Sequence, residues 1–234
     1  MATYVLVHGA FHGGWCWRPL VDILAKRGHR VFAPTLTGLA ERSHLLDERV
    51  NLSTHIADVA NLIRFEDLSG VVLVGHSYAG FVISGVAEEV GDRIGSIVFL
   101  DAFVPGNGKA MVDYWPPELK KEWDEAVAEA GGLVRKPLPA SFFKLPPADT
   151  AWVDAKCTPH PYATMNEKLT LTGARERIAK KAYIIAENFP SKNFRMFYER
   201  AKADPGWRTY GLPTGHEVMI ESAESLAGIL EEVA

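Results

Sequence analysis

The stretch Val71-Val72-Leu73-Val74-Gly75-His76-Ser77-Tyr78-Ala79-Gly80 decides the fold. Four aliphatic residues make a short buried strand, and Phe81-Val82-Ile83 and Val86 then open an amphipathic helix. Between them lies Gly-x-Ser-x-small, the pattern of a nucleophile elbow. A serine at such a sharp strand-to-helix turn has strained backbone angles and a hydroxyl standing clear of the sheet. Crowding there leaves little room for side chains two positions to either side, where the chain has Gly75 and Ala79. Alanine is a mild departure from the usual glycine, and Gly80 keeps the next turn open.

Outward from the elbow, strands alternate with amphipathic helices, which predicts an α/β fold with a mostly parallel central sheet flanked by helices. Strands are expected at Tyr4–Val7, Arg30–Ala33, Val71–Val74, Ser96–Leu100, Ala182–Ala186 and Trp207–Tyr210. Helices are expected at Pro19–Arg27, with Gly28 as its C-terminal stop, and from a Ser53 or Thr54 cap through Leu68. A last helix is expected at Ser222–Val233.

Between Pro105 and Gly173 the pattern changes. Prolines and aromatics accumulate, no clear strand is visible, and candidate helices run over Pro117–Ala130 and Asp149–Cys157. The expected organisation is one domain over 1–234, its core at 1–105 and 174–234, with a helical cap inserted at about 106–173. Trp115, Phe142, Phe143, Trp152, Tyr162 and Met165 are too apolar for a solvated loop. Phe11, Trp115, Phe142 and Trp152 are the candidate substrate contacts.

Composition sets the bounds. The 234 residues are 47% hydrophobic and 23% charged, enough for a substantial core. A formal net charge of −4 gives no basic footprint for nucleic acid, and no apolar run approaches a membrane span. The N-terminus reads as a first core strand rather than a signal peptide. Cys16 and Cys157 form neither a disulfide framework nor a zinc-ligand spacing, so both are expected as reduced thiols in a cytoplasmic protein. Nothing in the sequence bears on oligomeric state.

A serine nucleophile needs a general base, an orienting acid and an oxyanion hole. His216 alone among the eight histidines follows the last strand, in Pro213-Thr214-Gly215-His216, and is the candidate base. Two acids compete. Glu187 follows the strand Ala182–Ala186, the commoner place. Asp101 ends the strand one beyond the elbow, where an unpaired carboxylate would be costly and an imidazole N–H would satisfy it. Asp101 is favoured and Glu187 stays open. Asp204 precedes a strand and so belongs to the opposite end of the sheet, as a turn residue. The oxyanion donors are expected to be the N–H groups of Ala10 and Tyr78, with Phe11 the alternative to Ala10. His8 and His12 are expected in structural hydrogen bonds, and no metal site is assigned.

These motifs resemble one branch of the α/β-hydrolase superfamily, that of plant methylesterases, hydroxynitrile lyases and bacterial carboxylesterases including pyrethroid hydrolases. The resemblance rests on Val5-Leu6-Val7-His8-Gly9-Ala10, His12-Gly13-Gly14-Trp15, Gly75-His76-Ser77, Phe99–Pro105 and Gly215-His216. The segment Thr35–His44 is similar to the bacterial members especially. The resemblance implies a cofactor-free α/β-hydrolase fold with a helical cap. It also implies a serine carboxylesterase acting on small to medium apolar esters through an acyl-enzyme. Plant members keep an aspartate after the penultimate strand, which this chain lacks. Lyases of the branch carry a threonine and a lysine where this chain has Gly9 and Glu217, which disfavours lyase chemistry. The rival expectations are a cofactor-independent dioxygenase on the same dyad and a non-enzymatic small-molecule receptor.

Overall fold

Runs of β-branched and aliphatic residues dictate the centre of the molecule, whose computed structural model describes residues 1–234. The first strands are β1 (Thr3–Val7), β2 (Arg30–Phe32), β3 (Val71–His76) and β4 (Ile94–Leu100). Two-residue strands β5 (Val134–Arg135) and β6 (His160–Pro161) pair antiparallel in a small separate ribbon. β7 (Lys180–Ala186) and β8 (Trp207–Leu212) complete a six-stranded, wholly parallel sheet of order β2-β1-β3-β4-β7-β8.

The side-chain period of two sorts the strand residues onto two buried faces. Val5, Leu73, Phe99 and Ile185 face α2 (Leu52–Phe65) and α3 (Ala79–Val90). Tyr4, Val72, Leu100 and Ile184 face α1 (Arg18–Lys26) and the C-terminal helix. After β1 the chain steps outward to β2, then crosses back to β3 and continues the other way. The strand order therefore reverses between β1 and β3, and ligands of open α/β sheets bind at the carboxyl end of such a switch point. Gly9 and Ala10 leave β1 there, and Ser77 leaves β3 there.

Local chemistry moves some boundaries. The second helix is capped by Asn51, whose side chain accepts from Thr54 N at 3.0 Å while Thr54 Oγ1 accepts from Asn51 N. Thr54 is thus the return half of a capping box rather than the cap, and Ser53 turns to Glu167 instead. The segment 106–173 carries α4 (Pro117–Glu129), α5 (Pro147–Asp154) and α6 (Ala163–Asn166). α5 starts two residues before the predicted Asp149 because Pro147 fits the first helical turn. The short β5–β6 ribbon here is the pairing that the sequence pattern did not reveal. A bridge between Lys109 and Leu169 draws the two ends of the segment together. Beyond it come α7 (Ala174–Arg177) and α8 (Lys192–Ala203), whose Phe194 and Phe197 join the α2–α3 face. The expected last helix is α10 (Ala223–Val233), and a separate short helix α9 (Val218–Glu221) precedes it, parted from it at Ser222. No helix is long and apolar enough to cross a membrane.

Candidate active site

Ser77 follows β3 with φ of 55°, left-handed for a residue with a side chain. Its backbone is held on both sides: Ser77 N donates to Leu100 O, and Phe103 N donates to Ser77 O, each at 3.2 Å. The steric demand of the elbow falls on its glycines. A Cβ on Gly75 would sit 2.9 Å from Ala79 O, and one on Gly80 only 1.9 Å from Phe103 O. Gly80 is therefore the stricter requirement, and Ala79 fits because the close approach occurs one residue later.

Asp101 follows β4 and also has positive φ, 40°. Its backbone N donates to Ile184 O at 2.7 Å. The hydroxyl of Tyr183 holds the next residue, donating to Ala102 O at 2.7 Å and accepting from Ala102 N at 3.1 Å. The fully buried carboxylate accepts from His216 Nδ1 at 2.6 Å through Oδ2 and from Ala186 N at 3.2 Å through Oδ1. Burial pushes the Asp101 carboxyl up from its ordinary value, and the hydrogen bond from His216 opposes that rise. Donation from Nδ1 leaves the lone pair of His216 on Nε2. Glu187, the competing acid, is exposed, with its backbone N bonded to Leu212 O. Asp204 lies at the turn into β8, where its side chain accepts from Gly206 N.

Aromatic rings fix the plane of the His216 imidazole. Phe189 and Phe194 stack on it at centroid distances of 4.6 and 5.3 Å, and Phe143 at 5.7 Å. His216 N donates to Phe143 O at 2.8 Å, and His76 Nε2 meets His216 O at 3.0 Å. Sequence reasoning missed this cage. Phe189 and Phe194 lie in an ordinary loop and helix start, and only the spatial convergence of three chain segments gives them a role.

The loop after β1 supplies backbone donors. Phe11 has φ of 69°. Its N–H is spent on His160 Nδ1 at 3.3 Å, and its carbonyl accepts from Thr158 N at 2.9 Å. Of the two alternatives this leaves the N–H of Ala10, which has no acceptor within the protein; neither has that of Tyr78. The Tyr78 side chain turns away from the site, its hydroxyl 3.0 Å from His55 Nδ1. Three of the six non-glycine residues with positive φ are thus Phe11, Ser77 and Asp101. Backbone strain of this kind concentrates at functional sites.

His8 accepts from Leu36 N through Nε2 at 3.0 Å, and its Nδ1 meets Gly9 O. Burial lowers its pKa to about 3, so it is neutral. His12 contacts Ala10 O through Nδ1 at 2.8 Å and lies 3.4 Å from the buried Glu217 carboxylate. Burial works against its charge, but Glu217 and Cys157 outweigh that and hold its pKa above the ordinary imidazole range.

Ser77, His216 and Ala10 line one cavity of about 570 Å³, within the usual range for small-molecule sites. Phe11, Trp115 and Phe142, the candidate substrate contacts, line it, together with Trp123, Leu119 and Leu138 from the 106–173 segment. Trp152 does not. It packs edge-on against Trp15 and joins the satellite cluster of Ala140, Leu145 and Val153. The expectation of a substrate contact there is corrected.

A family model described as the alpha/beta hydrolase family matches residues 4–229. A carbendazim hydrolyzing esterase from Nocardioides sp. (strain SG-4G) is 40% identical over 97% of both chains. Salicylic acid-binding protein 2 of Nicotiana tabacum is 27% identical over 97% of this chain and 92% of its own. An extracellular alpha/beta-hydrolase from a Paenibacillus species shares the fold over 100% of this chain and 99% of its own, with a TM-score of 0.88 at 24% identity. This chain belongs to the alpha/beta hydrolase family.

Proposed function

We propose that the protein is a serine esterase acting on small to medium apolar esters, with Ser77 as nucleophile, His216 as general base and Asp101 as the orienting acid. The observation that carries this reading is the 2.6 Å bond from His216 Nδ1 to Asp101, with His216 lining the same cavity as a strained serine. The 40% relative named for esterase activity supports the reaction class.

Ser77 Oγ attacks the ester carbonyl carbon, and its proton passes to His216 Nε2. Asp101 stabilises the imidazolium that forms. The N–H groups of Ala10 and Tyr78 bind the developing oxyanion, each worth about 3–4 kcal/mol of barrier. The alcohol leaves with the proton from His216. Water then gives a proton to the same nitrogen, attacks the acyl-enzyme, and frees the acid and Ser77. Residues 106–173 act as a cap whose tryptophans and leucines hold the apolar part of the ester.

The test is hydrolysis of p-nitrophenyl esters from acetate to decanoate by wild type, Ser77→Ala, Asp101→Asn and Glu187→Gln. Losses of about 10³-fold or more for the first two, with Glu187→Gln near wild type, are expected. A dead Glu187→Gln would move the acid. A wild type inert on every ester would turn attention to oxygen uptake and ligand trapping.

A further inference from the structure

Immediately beyond His216, Glu217 is fully buried, and neither of its carboxylate oxygens has a hydrogen-bond partner. The nearest cation, the His12 ring, lies 3.4 Å from Oε1 outside hydrogen-bond geometry. His76 Nδ1 is a second buried orphan. The charge of His12 balances the Glu217 carboxylate without a hydrogen bond, which leaves the carboxylate lone pairs free to take a ligand.

Ligating atoms of His76, His216 and Glu217 are all within 4.8 Å of one another. The tautomers are set by outer bonds. His76 Nε2–H donates to His216 O at 3.0 Å, which leaves Nδ1 bare. His216 Nδ1–H donates to Asp101 at 2.6 Å, which leaves Nε2 bare. The two rings lie 4.4 Å apart between centroids.

We infer that His76, His216 and Glu217 form a site for a divalent transition metal such as Zn2+, and that its occupation switches the esterase off. Two imidazole nitrogens and one carboxylate oxygen suit Zn2+, Ni2+ or Cu2+, and not Mg2+ or Ca2+. Both histidines are braced from behind, His216 by a carboxylate and His76 by a carbonyl, the arrangement that orients metal-bound histidines. The set has three protein ligands and one position left toward the cavity, which all three residues line. Binding at about 2.0–2.2 Å requires the three atoms to close by about an ångström. The metal takes the Nε2 lone pair that would accept the Ser77 proton. Inhibition is therefore direct, and it rests on the proposed role of His216, whereas metal binding does not.

Two measurements separate these. Zn2+ binding is read by titration calorimetry, and Co2+ coordination by its visible absorption, both without ester present. Esterase activity is read against added Zn2+, then after chelator, in wild type, Glu217→Gln and His76→Gln, each normalised to its own metal-free rate. Glutamine at 76 retains a donor for His216 O and removes the Nδ1 lone pair. Expected are one Zn2+ per chain, chelator-reversible inhibition, and affinity weakened about tenfold or more in either variant. Equal Zn2+ affinity in wild type and both folded variants would overturn the site, as would inhibition by Mg2+ at the same concentration. Should one variant fail to fold, the other and the Co2+ spectrum of the wild type still decide. Zn2+ binding lost in both variants, in a protein inactive on every ester, would keep the metal site and reject the esterase role.

Discussion

Phe11 N–H donates to His160 Nδ1 at 3.3 Å, so a residue of the 106–173 segment holds the loop that carries Ala10, the proposed oxyanion donor. Thr158 N, two residues earlier, grips the carbonyl of the same Phe11. Both peptide groups of a left-handed residue are thereby fixed. Replacing His160 by leucine removes one of them. The expected result is a fall in kcat of about 10- to 100-fold with a smaller change in KM, read by steady-state kinetics on a short p-nitrophenyl ester. An unchanged kcat would show that Thr158 alone sets the loop.

Gly80 and Gly228 provide a matched pair for stability. A methyl at position 80 collides with a backbone carbonyl, whereas one at position 228 meets nothing within 4 Å. Gly80→Ala is expected to lose about 1–3 kcal/mol or more, with activity falling as the elbow shifts. Gly228→Ala, inside α10, is expected to gain about 0.5–1 kcal/mol. Urea unfolding of both variants checks the sign of each.

Acid should unfold the protein through its buried histidines. Burial lowers His8 to about 3 and His55 to about 4, against 6.5 when unfolded. Their neutral forms stabilise the fold fully above about pH 6.5, and that stability is lost as pH falls toward those folded values. Each contributes a slope of about 1.4 kcal/mol per pH unit inside that window. The raised pKa of His12 acts the other way, adding stability below the unfolded value that is lost at alkaline pH. His55→Asn is expected to flatten the acid limb in urea titrations from pH 7 to 4. An unaltered slope would show that His55 is already charged in the native state.

Phe142 is 52% exposed although it lines the cavity, so it stands at the mouth rather than the floor. Phe142→Ser is expected to raise KM several-fold for octanoyl and decanoyl esters and to leave acetate unchanged. A chain-length series of kcat/KM reads this directly. A uniform change across the series would place Phe142 against the reacting centre instead.

Elements with strong local periodicity were legible in the sequence. The strands around Val71–Val74 and Ser96–Leu100, the elbow and the loop histidine all lie where spacing and turn chemistry put them. Asp101 was favoured because a carboxylate ending a buried strand needs a donor, and the bond to His216 supplies it. What was hidden is long-range. Trp152 has the same apolar character as Trp115, and only the direction of α5 separates them. The Phe143–Phe189–Phe194 cage and the grip of His160 on Phe11 join residues far apart in sequence, with no local pattern to mark them. Ala79 illustrates the reverse case. The motif asks for glycine at its last position, but the backbone contact that excludes a side chain is at Gly80.

The bridge between Lys109 and Leu169 closes the inserted segment into a loop with a single foot, and its far side reaches Phe11. Under the proposed esterase role, cap and oxyanion hole are consequently one mechanical body. An ester too bulky for the cavity can be admitted only by lifting the tryptophan wall, and lifting it drags on the peptide that aims the Ala10 donor. Under that role, oversized substrates are expected to be penalised in turnover as well as in binding, so that substrate size is measured at the step where the bond breaks.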